Sequence, residues 1–352
     1  VEKSLGAVGM ATVDDFLNRY VGIVKEATYG TDPGSGYIYG ECDDESLQHR
    51  FDLLVREDMS RPISSKAVTG KEYSEGDINM AVQVDDFVGN LLYAFFPDDT
   101  QTTSGDYEIH TMEEPTSTSD EWPSWTIQVG REQKMHTYTG MMADSLNISA
   151  NLGEYVMLSV GFMGKAEGST ATLVTPTFDG DALNALYFSE ATVYFAGGAA
   201  SATVKSISLD ISLNRDMENS YALGSSSCVR PPPAQRREIT GSIEFNEVIY
   251  TATANEPTYE ELIAADGDDS NPASTTAAIR LFFADQTDSN TYLDLNIFHV
   301  FFGTPSANVS GRDTNTMSCD FTALYDAQDA GADKAMQVIL KGKELSATAY
   351  NA

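Results

Sequence analysis

Apolar and polar residues alternate along much of this chain, most clearly between His136 and Lys165. After Asn151-Leu152-Gly153-Glu154, residues Tyr155, Met157, Ser159, Gly161 and Met163 fall on one face, and Val156, Leu158, Val160 and Phe162 on the other. A period of two places side chains alternately on the two faces of a strand, and Asn-Leu-Gly supplies turn chemistry. Residues 141–150 and 155–163 are therefore expected to be strands joined by a turn. The same reading predicts strands at 51–55, 78–84, 125–129, 191–196, 204–213, 243–252 and 336–340. The polar stretch 98–123 is expected to be a long loop or projecting hairpin, with a short strand at 107–111.

Helical spacing appears twice. Asp85 can cap a helix over 86–96, where Phe87, Val88, Leu91, Leu92 and Phe95 recur at intervals of three and four until Pro97 stops it. A shorter helix is expected over 259–265.

Short motifs recur in the same order. Asn147-Ile148-Ser149 returns as Asn308-Val309-Ser310, and Ser159-Val160-Gly161-Phe162 as Ser318-Cys319-Asp320-Phe321. The loop Arg56-Glu57-Asp58-Met59 resembles Arg215-Asp216-Met217, and Thr69-Gly70 returns as Thr240-Gly241. Each copy lies roughly 160 to 170 residues after its partner, the mark of a repeated unit. At 352 residues the chain has room for two domains. The expected division is an arm at 1–45, a first domain at 46–165, a linker at 166–190, a second domain at 191–345 and a tail at 346–352.

Composition narrows the function. There are 53 acidic and 21 basic residues, for a net charge of −32, and the acids punctuate the whole chain. With 41% hydrophobic residues this is a folded protein with an acidic surface rather than a disordered acidic tail. Hydrated carboxylates keep a protein soluble in concentrated salt, where charges are screened over a few ångströms, which points to a halophilic source. Without a basic patch, binding to a nucleic-acid backbone is disfavoured. No run of 18 uncharged apolar residues offers a membrane-spanning helix. The opening VEKSLGAVGM shows no signal peptide, and the missing initiator Met points to a processed or trimmed start.

No catalytic or metal chemistry stands out. Cys42, Cys228 and Cys319 are too far apart for a disulfide framework or a thiolate site, and Cys319 is expected to act as a small buried hydrophobe. His49, His110, His136 and His299 lie at no ligand spacing. There is neither a phosphate-binding Gly-rich loop nor an HExxH motif. The segment Asp266–Asn271 partly matches a calcium loop but lacks its sixth-position Gly and twelfth-position Glu, where Ala277 stands, so a solvated loop is expected. Asn147 and Asn308 begin glycosylation sequons, for which equivalence of the repeated strand is the simpler account. No cofactor is expected.

Five stretches carry a family resemblance: Gly22–Thr31, Thr69-Gly70, Ser145–Glu154, Val204–Asn214 and Arg237–Ile243. Together they resemble the tail tube (major tail) proteins of tailed viruses with long non-contractile tails. With the acidic surface, the chain resembles the tube protein of a haloarchaeal siphovirus. The resemblance implies a mainly-β fold of two tandem tube-type antiparallel β-sandwich or half-barrel domains, each with one flanking helix. It implies a structural role in the virion tail, assembled in the host cytoplasm, and no enzymatic activity. Stacked rings would enclose a negatively charged lumen that conducts genome DNA without binding it specifically. The strands at 141–163 and 297–324 are expected to line it, with Asp144, Asn147, Ser149, Glu154, Asn308 and Asp313 facing the channel. Rings of three duplicated chains with pseudo-six-fold symmetry are expected, the alternative being six chains with one tube domain each. Contacts between rings are assigned to 98–123, 1–45 or the tail. Tape-measure, tail terminator and baseplate proteins are the implied partners. Two other readings stay open: a secreted acidic surface-layer or adhesin β-protein of a halophile, and a carbohydrate-active enzyme with two placed carboxylates in an aromatic cleft.

Overall fold

The computed structural model describes residues 19–57, 59–60, 62–64, 66–115, 122–165, 167–168, 171–178, 184–251, 254–263, 278–307, 315–325 and 334–351. The first half contributes β1 (Tyr20–Lys25), β2 (Ile38–Gly40), β3 (Asp44–Glu45), β4 (Gln48–Arg56), β5 (Lys66–Ala81), helix α1 (Asp86–Tyr93), β6 (Asp98–Ser104), β7 (Tyr107–Glu113), β8 (Trp125–Arg131), β9 (Lys134–Asn151) and β10 (Met157–Gly164). The second contributes β11 (Ala191–Phe195), β12 (Val204–Ser212), β13 (Glu238–Phe245), helix α2 (Tyr259–Ile263), β14 (Ile279–Ala284), β15 (Tyr292–Ile297), β16 (Val300–Phe302), β17 (Met317–Ala323) and β18 (Met336–Gly342).

The fold is mainly β and antiparallel, as expected, and its strands form two sheets that each draw on both halves of the chain. The longer sheet has 12 strands, with the path β16-β17-β13-β12-β9-β10-β5-β3; β4 also pairs with β5, and β8, β1 and β2 branch from β9. The shorter runs β11-β14-β15-β18-β7-β6. Strand β9 is long enough to serve two neighbourhoods: its first part pairs with β8, and its second part sits between β10 and β12.

Alternation decides which face is buried. Leu146, Ile148, Leu158, Val160, Ile78, Met80, Ile207, Leu209, Ile239 and Ile243 point inward and are nearly inaccessible. They share one core with Leu281, Phe283, Leu293, Leu295, Val338 and Leu340 of the shorter sheet. Helix α1 belongs to this core, with every residue from Phe87 to Tyr93 buried. Its N-cap is Asp85, whose Oδ1 accepts from the Val88 amide at 2.8 Å. The helix ends at Tyr93 rather than 96, and Phe95 and Phe96 are buried just beyond it. A buried Glu26 ties β1 to its neighbours: its carboxylate accepts from Ser124 and Thr126 hydroxyls and from the Gly30 and Gly140 amides at 2.7–2.8 Å. That network explains the Glu-Ala-Thr-Tyr-Gly stretch, since Gly30 turns back at φ +70° to reach Glu26.

Several elements differ from expectation. Of the two alternatives expected for 98–123 the hairpin is the one formed, as β6–β7, but instead of projecting it is built into the shorter sheet, where β7 pairs with β18. Its core role was hidden because two of its most buried residues, Asp99 and His110, are polar and satisfy each other at 2.8 Å. Strand β13 begins at Glu238, five residues before the expected start. The glycine at 241 broke the apolar period there, yet it faces the core: a Cβ would sit 2.3 Å from Phe321 Cζ. Strands β14 and β15 were not anticipated. The solvated loop expected at 266–271 lies outside the described residues, as do 264–265 of the second helix.

Candidate functional site

The outward face of the long sheet is polar across its width. Paired residues share a face, so the registers define rows running across the strands. One row is Phe301, Thr322, Thr240, Asp210, Asn147, Ser159, Asn79 and Asp44, crossing eight strands. A second is Asp320, Ser242, Ser208, Ser149 and Met157. A third is Glu238, Ser212, Ser145, Gly161 and Asp77. Small hydroxyl and amide side chains dominate, and Asp44, Asp77, Asp210, Glu238, Glu244 and Asp320 supply negative charge. Lys205 is beside Glu244, with its Nζ 2.7 Å from the carboxylate.

Side chains within the rows are hydrogen-bonded to one another. Asn147 Nδ2 donates to Asp210 Oδ1 at 2.7 Å across the β9–β12 junction, and Asn79 Nδ2 donates to Asp44 Oδ1 at 2.6 Å. Such cross-strand bonds fix rotamers that would otherwise be mobile on an open face. A shallow trough at the β9–β12 junction is lined by Asn147, Ser159, Asp210, Ser212, Glu238 and Thr240.

The path repeats itself across that junction. Read outward from β9, the first half runs β9-β10-β5 and then β3 and β4; read from β16, the second runs β16-β17-β13-β12. In both, the strand before the helix pairs with a later outgoing strand on one side and with the preceding strand on the other. The β9–β12 pairing, seven residue pairs from Ser206↔Asn151 to Ser212↔Ser145, joins the two groups.

Of the residues expected at a channel, Asn147 and Ser149 lie on the polar face. Asp144 sits in the β9 bulge opposite Gly161/Phe162 and accepts from the Arg215 amide at 2.7 Å. Arg215 is buried there, its Nε donating to Ala143 O at 2.6 Å and Nη1 to Pro232 O at 2.9 Å. Burial pushes its guanidinium down to about 10, against the opposing pull of Asp144 and Tyr29. Glu154 is in the β9–β10 turn, where Asn151 Nδ2 donates to it at 3.0 Å. Asn308 and Asp313 lie outside the described residues. The acids of β13 and β17 were missed singly, although the pattern Glu-x-Thr-x-Ser-x-Glu over 238–244 carries those of β13.

A cavity of about 490 Å³ lies elsewhere, between β1, β8 and Glu41–Glu45. Three of its carboxylates are engaged structurally: Glu41 accepts from Gln83, Asp44 from Asn79, and Glu45 from the Arg131 guanidinium twice at 2.8 and 3.0 Å. Cys319 is buried in β17, and burial pushes its thiol up to about 12, so it packs as a hydrophobe. Among the described residues, no cluster of three or more His, Cys, Asp or Glu is placed to hold a metal ion. No helix there is long and apolar enough to cross a membrane.

The family model described as phage tail tube protein matches residues 17–323, most of the chain. A search of curated proteins finds no match.

Proposed function

The chain belongs to the phage tail tube protein family, and from that premise we propose how it builds the tube. As a member of that family it is a structural component of the virion tail that self-assembles into a tube with other tail proteins as partners. In our reading the polar face of the long sheet lines the channel, with Asn147 and Ser149 on β9 and Asp210, Glu238 and Asp320 on the second half. Asp144 and Glu154 stand at the two ends of the β9 stretch, and the reading retains Asn308 and Asp313 as channel residues. A wall of small polar and acidic side chains repels phosphates and leaves DNA free to slide. No residue acts as a catalyst.

The observation that carries this is the repeated strand order with a polar face continuous across the β9–β12 junction. If each half is one tube domain, the junction is one lateral contact made covalent, at high effective concentration. Three chains then close a ring of pseudo-six-fold symmetry, each pairing its β3–β4 edge with the β16 edge of the next. Of these edge strands β3 has two residues and β16 three, while β4 has nine; the short β16 edge limits wrong pairing before closure. Barrel closure removes them. The acidity of −32 fits the tail of a haloarchaeal siphovirus assembled in a high-salt host cytoplasm.

Electron cryomicroscopy of assembled tubes tests the reading. Three chains per ring with β9, β12 and β17 on the inner wall support it; six chains per ring, or these strands on the outer surface, overturn it. A triple charge reversal, Asp210→Lys with Glu238→Lys and Asp320→Lys, should leave tubes intact and slow genome ejection.

A further inference from the structure

The shorter sheet turns one face to the core and leaves the other open. The two sheets share one core, so this open face lies on the opposite side of the protein from the polar face of the long sheet. Register places Tyr194 and Arg280 in one row of it, Phe282, Asp294 and Ile339 in a second, and Tyr292, Lys341 and Ile109 in a third. Tyr107, two residues before Ile109 on β7, shares that face.

Rings and cations alternate across these rows. The Arg280 guanidinium lies 5.4 Å from the Tyr194 ring centroid and 4.9 Å from that of Phe282. Phe282 and Tyr292 follow at 5.2 Å. Lys341 Nζ sits between Tyr292 and Tyr107, 5.6 and 5.3 Å from their centroids, and Lys343 Nζ lies 4.8 Å from Tyr107. The quadrupole of each ring attracts the cation beside it. Three of the chain's 21 basic residues join this one ladder, in a protein whose net charge is −32.

The three cations are not alike. Arg280 is held by Asp294, to which Nε and Nη2 donate at 2.8 and 2.7 Å. Lys343 is paired at 3.4 Å with Asp288, whose carboxylate also accepts from the Tyr107 hydroxyl at 2.7 Å. Lys341 donates to the neutral Asn290 amide oxygen at 3.2 Å, and among the described residues no carboxylate pairs with it. Beside it Ile109, Ile339 and Phe282 are half-buried and form an apolar floor. A pyranose sets its apolar C–H face against such side chains and its hydroxyls against fixed donor–acceptor pairs; a carboxylate on the sugar neutralises the ammonium.

We propose that this face binds an anionic polysaccharide of the uronic-acid class. Lys341 takes a sugar carboxylate between Tyr107 and Tyr292, and the Arg280–Asp294 pair holds hydroxyls of a neighbouring sugar. Arg280 on β14 and Lys341 on β18 are two strand spacings apart, roughly 10 Å, which suits successive sugars of one extended chain. The proposal uses the tube reading for one step: with the polar face of the long sheet on the channel, this face is outside the tail, open to the polysaccharides of a host surface.

Salt separates this ligand from a nucleic acid. A chain of net charge −32 repels any polyanion at low salt. At about 1 M salt the screening length is about 3 Å, which removes the long-range repulsion and leaves contacts made against the rings. Binding of a polyuronate should therefore strengthen with salt, whereas phosphate-driven binding weakens.

Alginate, a polyuronate, is the probe, with neutral dextran and single-stranded DNA beside it. Wild-type chains should be retained on immobilised alginate more strongly at about 1 M than at about 0.1 M salt. Lys341→Met and Tyr107→Leu should each weaken retention about tenfold, the worth of one charge-assisted or aromatic contact. Lys205→Met, on the polar face of the long sheet, should leave it unchanged. Wild-type chains that pass through alginate at both salts would overturn the proposal, as would equal retention on dextran or DNA, or unchanged binding by both variants. Alginate bound by single chains and refused by assembled tubes would count against the tube reading instead, since that reading puts this face outside.

Discussion

Strand β5 runs for sixteen residues and β13 for eight, yet each precedes a helix and lies between an outgoing strand and the strand before it. The surroundings differ as much as the lengths. Helix α1 has eight residues, seven of them buried, while α2 has five residues with Leu262 alone buried. The C-terminal tail crosses to the first half, where the Ser346 amide and the Tyr350 hydroxyl both donate to Asp86 Oδ1, at 2.6 and 2.9 Å. Gly89 makes room for it: a Cβ there would sit 2.2 Å from the Tyr350 hydroxyl. The comparison teaches that one sheet order tolerates unequal support. The first half holds the packed helix, the strap and the projecting β4–β5 hairpin, while the second mainly extends the polar wall.

The largest expected effect breaks this inequality at the helices. Phe87 is enclosed and packs over Gly40, where a Cβ would lie 2.2 Å from its ring. Phe87→Ala should cost about 3–5 kcal/mol. Leu262→Ala, on a helix of little more than one turn, should fall near the lower bound of its class, about 2 kcal/mol. Urea denaturation of both variants checks the ranking. Equal losses would mean that the two helices support their halves alike.

How much was legible follows from the same contrast. The β9–β10 hairpin, α1 with its Asp85 cap, and β12 were readable because strict alternation or helical spacing coincides there with burial. For the β6–β7 hairpin the turn back was legible as one of two alternatives, but its place in the core was not, because Asp99 and His110 are polar residues in a core, and their pairing is a tertiary fact. The start of β13 was obscured by Gly241, whose reason is the Phe321 ring on a neighbouring strand. On the polar face, Asn147 and Ser149 were reached through alternation and the motif copy, whereas Asp210 and Asp320 gain meaning from registers that bring distant segments into one row. The exposed β4–β5 hairpin was read as an ordinary strand, since its apolar residues look like core until no partner strand is found.

A smaller effect sharpens the comparison at the caps. Asp85 caps α1 with one side-chain bond. At α2, the Thr258 amide and hydroxyl donate to Glu261 Oε2 at 3.0 and 2.7 Å, and the Glu261 amide donates back to Thr258 Oγ1 at 3.3 Å. That reciprocal arrangement is a capping box. Asp85→Ala should cost about 1–2 kcal/mol, because a buried amide loses its acceptor. Thr258→Ala should cost about 0.5–1 kcal/mol. Thermal unfolding in one buffer ranks them, and the reverse order would show α2 to be the better-anchored helix.

The smallest effect concerns the strap, which the second half lacks. His110 Nδ1 lies 2.8 Å from Asp99 Oδ2 and Nε2 lies 2.9 Å from Ser346 O, while the ring stacks on Tyr350 at 4.2 Å. A carbonyl oxygen only accepts, so Nε2 donates; with a carboxylate on the other side, the imidazolium satisfies both contacts. Burial alone lowers the His110 pKa, but the Asp99 hydrogen bond and charge, the Ser346 carbonyl and the Asp86 charge together raise it above the usual value. Asp99 is held in place by the Tyr350 amide at 2.8 Å, and Lys25 Nζ donates to the Tyr350 carbonyl at 2.9 Å. A raised folded pKa adds stability that is complete below the unfolded value of about 6.5 and is lost as pH climbs through the folded value. Tryptic cleavage after Lys343, which frees the strap, should therefore accelerate from pH 6 to pH 9 beyond trypsin's own pH dependence on a peptide substrate. In His110→Gln the strap should be cut faster at pH 6 and show no further acceleration over that range. A wild-type strap whose corrected cleavage rate is flat with pH would show that the imidazolium does not hold it.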